Sequence, residues 1–259
     1  MTRPAAGHHR QAGWAVRFDW GMPGATAIAQ GAGVAVVVDV LSFTTALSVA
    51  VDEGIEVFPY RFRDASAAAF AATRGAVLAV GRKEAGTSGV SLSPLSVQEA
   101  ARTGPLAKAG RLVLPSPNGS TIARQLAESG AVVIGACLRN AKAVADWISR
   151  GSARGPVAVV AAGERWPGDL LRPAVEDLWG AGAVVNALLR AGVGPASPEA
   201  MAAAAAYREL GRGLGTALKG CASGQELQAD GYGTEIAVAA QENVTTKVPV
   251  LVGESFRAA

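Results

Sequence analysis

The chain has 259 residues, 50% of them hydrophobic and 17% charged, and a formal net charge of +3 at pH 7. This composition supports a substantial buried core, and the mild positive charge includes no Lys/Arg run dense enough to predict nucleic-acid binding. Because no run of 18 uninterrupted apolar residues is present, the sequence also predicts no membrane-spanning helix.

The first 13 residues are predicted to form a disordered tail, and residues 14–259 a single domain. The tail contains His8 and His9, the only histidines, and it lacks the apolar segment of a secretory signal. Sites of the Ser-His-Asp or Cys-His type and zinc sites of the usual His/Cys type therefore lack histidines within the predicted domain. We expect any chemistry to rest on carboxylates, hydroxyls, amides, Lys, Arg and a hard metal ion.

Strands and helices alternate in the next part of the chain. The first strand, over 33–40, is a continuous apolar run that is typical of a buried parallel strand. A Gly/Ser-rich loop leads to Pro94, and the Pro-Ser-Pro-Asn-Gly segment at 115–119 is a turn by composition. The other predicted strands cover 55–60, 76–80, 111–114 and 132–137, and the predicted helices cover 42–52, 64–74, 96–103, 120–129 and 140–149.

The remaining part of the chain is mainly helical. A buried strand over 157–161 is followed by a polar loop over 163–173. The predicted elements after this loop are helices over 175–190 and 198–218, a short helix within 220–232 and a strand over 248–252. Strands that alternate with helices favour a three-layer α/β/α fold with a mostly parallel, mixed sheet.

Three strand–helix junctions carry polar groups, at the edge where open α/β sheets bind ligands. At the first junction, Asp39 ends an apolar strand, and a carboxylate there needs a metal ion or a cluster of amides as its partner. The alternative is that Asp39 only caps the helix. Thr44 and Thr45 lie at the start of this helix, where they either bind an anion or act as caps.

The second junction contains Asn118 and Gly119, followed by Ser120 and Thr121 on the first turn of a helix. Asn-Gly tolerates positive φ and aims backbone N–H groups outward. With the two hydroxyls, this junction is a candidate cradle for a phosphate at a helix N-terminus. An ordinary tight turn is the alternative.

The third junction opens the helix over 175–190 with Glu176 and Asp177. Acidic residues in a first helical turn are stabilised by the helix dipole. Adjacent residues on a helix point about 100° apart, so only one of the two acids can face a site squarely. A solvated acidic helix N-terminus is the alternative.

Taken in order, these junctions resemble the 2-phosphosulfolactate phosphatase (ComB-like) family of magnesium-dependent phosphatases. Val-Asp-Val-Leu at 38–41, followed by two threonines, is similar to the first family motif. Pro-Asn-Gly-Ser at 117–120 is similar to its Thr-Asn-Gly-Thr turn. Leu-Arg-Asn-Ala at 138–141 is similar to its Leu-Asn-Ala segment, with one residue inserted. Glu-Asp at 176–177 with the following Gly-Ala-Gly matches a further segment, and the ordered set covers roughly residues 33 to 250.

The sequence departs from the family pattern at several positions. Ser42 stands where the family usually carries an arginine, and a hydroxyl cannot replace a bidentate phosphate donor. The family's Gly-Glu-Arg loop reads Gly-Arg-Lys here, and Arg82 or Lys83 is the candidate replacement for the missing cation. The Gly-Asn-Ser-Pro segment becomes Ser-Leu-Ser-Pro at 91–94, and Glu235 replaces an aspartate.

The resemblance implies Mg²⁺-dependent hydrolysis of a small phosphomonoester, in which 2-phosphosulfolactate and water give 3-sulfolactate and phosphate. It implies Asp39, Glu176 and Asp177 as catalytic carboxylates, with Asp39 and Asp177 as magnesium ligands. A carboxylate either orients the attacking water, or Asp39 itself accepts the phosphoryl group. The implied substrate-binding residues are Thr44, Thr45, Arg82, Asn118, Gly119, Ser120 and Asn140. The alternative is a non-catalytic or weakly active relative that binds a small anion. Convergence of Asp39, Asn118, Glu176 and Asp177 in one cleft would favour catalysis, whereas Glu176 and Asp177 facing solvent would favour this alternative.

The expected partners follow from the same observations. We expect a small phosphorylated acid as substrate, and neither a nucleic acid nor a membrane as partner. The two cysteines, Cys137 and Cys221, do not make a disulfide framework and favour a cytoplasmic location. The Ala-rich helix predicted over 198–218 is a candidate surface for a homo-oligomer.

Overall fold

A computed structural model describes residues 7–62, 64–86, 89–151 and 154–259. In chain order, its strands are β1 (Val16–Trp20), β2 (Val34–Val38), β3 (Glu56–Tyr60), β4 (Val77–Leu78), β5 (Arg111–Pro115), β6 (Val132–Ala136), β7 (Val157–Ala161), β8 (Glu164–Arg165), β9 (Leu171–Arg172), β10 (Pro249–Val252) and β11 (Ser255–Ala258). Its helices are α1 (Gly21–Ile28), α2 (Phe43–Asp52), α3 (Ala65–Thr73), α4 (Pro94–Arg102), α5 (Pro105–Ala109), α6 (Gly119–Ala127), α7 (Ala141–Ser149), α8 (Val175–Arg190), α9 (Pro198–Leu210), α10 (Leu214–Gly220), α11 (Ala222–Ala229) and α12 (Gly233–Ala239). Among the helices so described, none combines the length and the hydropathy needed to cross a bilayer.

A large mixed sheet forms the centre of the molecule, with the strand order β1-β7-β2-β6-β10-β11-β3-β5-β4. Strands β1, β7, β2 and β6 are parallel to one another, as are β3, β5 and β4. The antiparallel hairpin of β10 and β11 joins the two parallel groups. This arrangement confirms the predicted three-layer α/β fold with a mostly parallel, mixed sheet.

Helices cover both faces of this sheet, as the side chains of β2 illustrate. Val34, Val36 and Val38 pack in a core with α7, α8, α9, α10 and α12. Ala35 and Val37 point to the opposite face and pack in a second core with α1, α2, α4, α5 and α6. Because both faces are covered, all five residues of β2 are fully buried, which explains its uninterrupted apolar sequence.

Most predicted elements between 33 and 190 are present, with ends shifted by a few residues. The single helix predicted over 198–218 is wrong, because a 3₁₀ turn at Gly211–Gly213 separates α9 from α10. Gly211 has a φ of 48°, which ends the helix and which glycine adopts without a Cβ clash. The polar loop predicted over 163–173 contains the small β8–β9 hairpin.

The predicted N-terminal tail and the loop before Pro94 fall partly outside the described residues, at 1–6 and 87–88. Within 7–13, the side-chain amide of Gln11 donates to the Phe18 carbonyl at 2.8 Å and accepts from the Phe18 N–H at 3.0 Å. Gln11 thus pairs with the backbone of β1. The division of the chain into a tail and one domain stays a prediction.

Candidate active site

The loops that follow β2 and β5 meet at the carboxylate of Asp39. Its Oδ2 accepts a hydrogen bond of 3.1 Å from the N–H of Gly119, the first residue of α6. The hydroxyl of Ser116 donates a longer bond of 3.5 Å to the same oxygen. A Cβ at Gly119 would lie 2.6 Å from this oxygen, so the close approach requires glycine. Asp39 is thereby held in one position although it is only 5% exposed.

The loops that follow β2 and β7 are held together by Asp177 from the first turn of α8. Its Oδ1 accepts from the N–H of Val40 at 2.7 Å, and its Oδ2 accepts from the N–H of Gly163 at 2.9 Å. Both Glu176 and Asp177 are 3% exposed. Neither is therefore a solvated acid at a helix N-terminus, and Asp177 is the one that bonds to the loops at the strand ends.

The carboxyl groups at this edge perturb one another. Burial raises the pKa of Asp39 to about 7, and the charges of Glu164 and Glu176 act in the same direction. Burial, followed by the charges of Asp39 and Glu176, holds the pKa of Asp177 well above its usual range. The charges of Glu164 and Glu176 therefore disfavour ionisation of both Asp39 and Asp177. A proton or a cation is needed to offset the negative charge that collects here.

Glu164, the first residue of β8, belongs to the same cluster although the sequence did not single it out. Burial raises its pKa, as does the charge of Glu176, whereas the Arg172 guanidinium and the Asn118 amide lower it. The side chain of Asn118 donates to Glu164 Oε2 at 3.0 Å and accepts from Nε of Arg165 at 2.9 Å. The available signal was the position of Glu164 and Arg165 directly after a buried strand, at the edge that also carries Asp39.

A polar cleft of about 260 Å³ opens beside Asp39. The Nε of Arg82 donates to the Glu235 carboxylate at 2.8 Å, and its Nη2 donates to the Leu41 carbonyl at 3.2 Å. Arg82 and Ser42 thus line the same cleft, whereas Lys83 pairs with Asp230 in an exposed position. That Arg82 replaces the family arginine stays a prediction. The residues that line the cleft are Leu41, Ser42, Arg82, Ser116, Pro117, Asn118, Glu164, Ser223, Glu226, Leu227 and Asp230.

The hydroxyls of Thr44 and Thr45 bond to the backbone of their own junction. Oγ1 of Thr44 donates to the Asp39 carbonyl at 2.7 Å and accepts from the Asp39 N–H at 2.9 Å. Oγ1 of Thr45 donates to the Val40 carbonyl at 2.6 Å. Both threonines are 1% exposed and are absent from the lining of the cleft. Their bonds fix the turn that carries Asp39, and their predicted contact with substrate stays a prediction.

Ser120 and Asn140 also use their side chains within the fold. The hydroxyl of Ser120 donates to the Leu114 carbonyl at 2.8 Å. The amide of Asn140 accepts from the Cys137 N–H at 2.9 Å and donates to the Gly135 carbonyl at 3.2 Å. Both residues are fully buried and neither lines the cleft. They stabilise the ends of β5 and β6, and their predicted role in substrate binding is likewise untested.

The carboxylates at this edge are the candidate ligands of a magnesium ion. Within the described ranges, no group of three or more His, Cys, Asp or Glu side chains converges as a metal site. Magnesium commonly takes only one or two protein carboxylates and completes its octahedron with water and phosphate oxygens. Asp39 and Asp177 are hard oxygen donors whose ionisation is disfavoured by burial and by their neighbours. They fit a magnesium ion held by one or two carboxylates.

Comparison with known proteins places these observations in a family. A family model described as 2-phosphosulpholactate phosphatase matches residues 23–254. This range contains Asp39, the α6 N-terminus, the β8–β9 hairpin and the first turn of α8. A search of curated proteins finds no match.

Proposed function

The chain belongs to the 2-phosphosulpholactate phosphatase family, and from this premise we propose that it hydrolyses a phosphomonoester of the 2-phosphosulfolactate type with the help of Mg²⁺. Enzymes of this family are hydrolases of phosphoric monoesters. The proposed reaction takes 2-phosphosulfolactate and water to 3-sulfolactate and phosphate. The supporting observation is the buried carboxyl cluster around Asp39, which adjoins a cleft that carries a guanidinium, hydroxyls and an amide.

Asp39 is the proposed catalytic group of this cluster. Its pKa of about 7 allows it to accept or release a proton near neutral pH. The N–H of Gly119 fixes its Oδ2, so the carboxylate is oriented before a substrate arrives. Asp39 either accepts the phosphoryl group or assists the attack of water, and both routes need it at this position.

The phosphoryl group is proposed to bind in the cleft beside Asp39. Arg82 supplies a positive charge there, and its bonds to Glu235 and Leu41 limit the movement of its guanidinium. The side chains of Ser42 and Ser116 line the same cleft and provide hydroxyl donors. This set lets phosphate bind without the arginine that the family usually has at position 42.

Asp39 and Asp177 are the proposed magnesium ligands. When bound, magnesium offsets the charge on phosphoryl oxygens. Asp177 also accepts the N–H groups of Val40 and Gly163 and so holds the loops that follow β2 and β7. Glu176 is buried beside it and adds to the negative charge of the cluster.

The alternative is a relative that binds a small anion without turning it over. That alternative expects Glu176 and Asp177 to face solvent, as acids without a catalytic task. Both are instead 3% exposed, and their charges raise the pKa of neighbouring groups. Their burial favours the hydrolytic function, whereas the lining of the cleft includes Asn118 but not Asp39, Glu176 or Asp177.

The test is phosphate release from 2-phosphosulfolactate, phosphoglycolate and other small phosphomonoesters, measured with Mg²⁺ and with EDTA. We expect release that requires Mg²⁺ and that falls by about two orders of magnitude or more in Asp39→Asn. Asp146→Asn is the matched control, because Asp146 lies on the outside of α7 in an i,i+4 pair with Lys142. If no ester is hydrolysed by a folded protein that binds phosphate, the anion-binding alternative replaces this proposal.

A further inference from the structure

We propose that a second cavity next to the cleft binds an acidic group, carboxylate or sulfonate, on the organic part of the substrate, through Thr121 and Arg61. This inference rests on the proposed phosphatase function and adds residues that determine specificity. The cavity has a volume of about 450 Å³. Asn118 and Glu164, which are hydrogen-bonded to each other, line both this cavity and the cleft, so the two compartments adjoin each other at this pair of residues.

Thr121 is the first observation that points to a ligand in this cavity. It lies in the first turn of α6, is 4% exposed and lines the cavity. Within the described part of the chain, its Oγ1 is the buried side-chain oxygen that has no hydrogen-bond partner. The neighbouring hydroxyl of Ser120, by contrast, donates to the Leu114 carbonyl. Buried polar atoms are almost always paired with a protein group or an ordered water, and the proposed site gives Thr121 an oxygen of a bound molecule as this partner.

Arg61 is the second observation. It follows β3, is exposed to solvent and lines the same cavity. The ion pairs formed among the described residues do not include it, and its guanidinium rests 5.1 Å from the centre of the Phe62 ring. The other arginine of the cavity, Arg165, already pairs with Asp169 and donates to Asn118. Arg61 is therefore the guanidinium available to a ligand carboxylate or sulfonate.

The other residues that line the cavity indicate the class of this ligand. Met22, Ile122 and Leu171 give the cavity an apolar side, which suits a short carbon skeleton. Arg82 lines the cleft and not this cavity, so the proposed guanidinium partner of the phosphoryl group lies in the cleft. The substrate class that matches this assignment is a phosphomonoester whose organic part carries an acidic group.

The experiment compares two substrates in two variants. Thr121→Val removes the hydroxyl and keeps the shape, and Arg61→Gln removes the charge at an exposed position. For 2-phosphosulfolactate we expect KM to rise about tenfold or more in Arg61→Gln and severalfold in Thr121→Val, with kcat nearly unchanged. For ethyl phosphate, which lacks the acidic group, we expect both constants to stay at the wild-type values. Thr73→Val and Arg150→Gln, both on exposed positions outside the two compartments, are the matched controls.

A binding measurement separates this inference from the proposed function. Calorimetric titration with 3-sulfolactate reports on the acid site even if no phosphate is released. Binding to the wild type that weakens at least fivefold in Arg61→Gln supports the acid site, whatever the phosphatase assay gives. Absence of wild-type binding, binding unchanged in both variants, or equal KM changes for the two substrates would overturn it. A wild type that binds the acid but hydrolyses no ester would refute the proposed reaction alone.

Discussion

Replacement of Gly119 by alanine tests the placement of Asp39 without changing any charged group. The added Cβ would lie 2.6 Å from Oδ2 of Asp39 and 2.6 Å from a ring carbon of Phe43. Phe43 is fully buried, so it cannot swing into solvent. The carboxylate must then retreat by about 0.8 Å to reach the ordinary contact distance of about 3.4 Å.

The expected effect of this substitution is larger on activity than on stability. Overpacking costs about 1–3 kcal/mol, and the better helix propensity of alanine returns about 1 kcal/mol. The free energy of unfolding should therefore fall by about 0–2 kcal/mol. A displacement of about 1 Å at a catalytic group lowers the rate by roughly 100-fold. We expect kcat/KM for phosphate release to fall by about that factor.

Urea denaturation and steady-state kinetics on the same preparation separate the two effects. Gly213→Ala is the matched control, because a Cβ at Gly213 meets nothing within 4 Å and its φ is −82°. That control should keep the wild-type activity. If Gly119→Ala is folded and as active as the wild type, the argument that Asp39 must be held by the α6 N-terminus is refuted.

Two further predictions concern charge. In EDTA, the free energy of unfolding should decrease as the pH rises from about 4 to about 7. The pKa of Asp39 is raised to about 7 in the folded state. The folded protein therefore keeps a proton that the unfolded chain releases at lower pH. Urea unfolding at pH 5 and pH 8 measures this slope. Asp39→Asn should reduce it, and Asp177 and Glu164, whose pKa values are also raised, should account for the remainder. An unchanged slope in that variant contradicts the assignment. Arg82→Ala leaves the Glu235 carboxylate buried without its cation and should destabilise the protein by about 3–5 kcal/mol. Chemical denaturation measures this loss of stability. The double variant Arg82→Ala/Glu235→Gln should recover most of it, because the buried carboxylate is then absent. Equal losses in the single and double variants would contradict the pairing argument.

The central strands of the fold could be predicted because burial on both faces leaves a clear apolar run, as in β2. Strand β1 was missed because Arg17 and Asp19 interrupt its apolar pattern. In the structure, the Arg17 guanidinium is 3% exposed and donates to the carbonyls of Ile28 and Gln30, both at 3.0 Å. A sequence pattern does not show that a charged side chain will find backbone acceptors, so such a strand looks like a polar segment.

The sequence could predict those residues of the candidate site whose positions follow from the ends of strands and the starts of helices. Asp39, Gly119 and Asp177 lie together because each follows a strand or opens a helix at the same edge of the sheet. Thr44 and Ser120 look equally suitable in sequence, but backbone carbonyls of their own junctions accept their hydroxyl hydrogens. The acceptor of a hydroxyl hydrogen bond depends on local geometry, which residue type and spacing do not specify. The sequence therefore could not separate hydroxyls that bond within the fold from those available to a ligand.

The hairpin of β10 and β11 has a consequence for how the chain reaches its fold. Phe256 pairs with Val57 and Val250 pairs with Ile134, so the bridge between the two parallel groups is made by residues that are synthesised long after β3 and β6. Until the ribosome has delivered this segment, both groups present an unpaired strand edge, which is a template for association with other chains. Contacts so distant in sequence also slow folding. The nascent protein is therefore most prone to aggregation just before its β10–β11 hairpin emerges from the ribosome. A chaperone would protect the protein best at that stage.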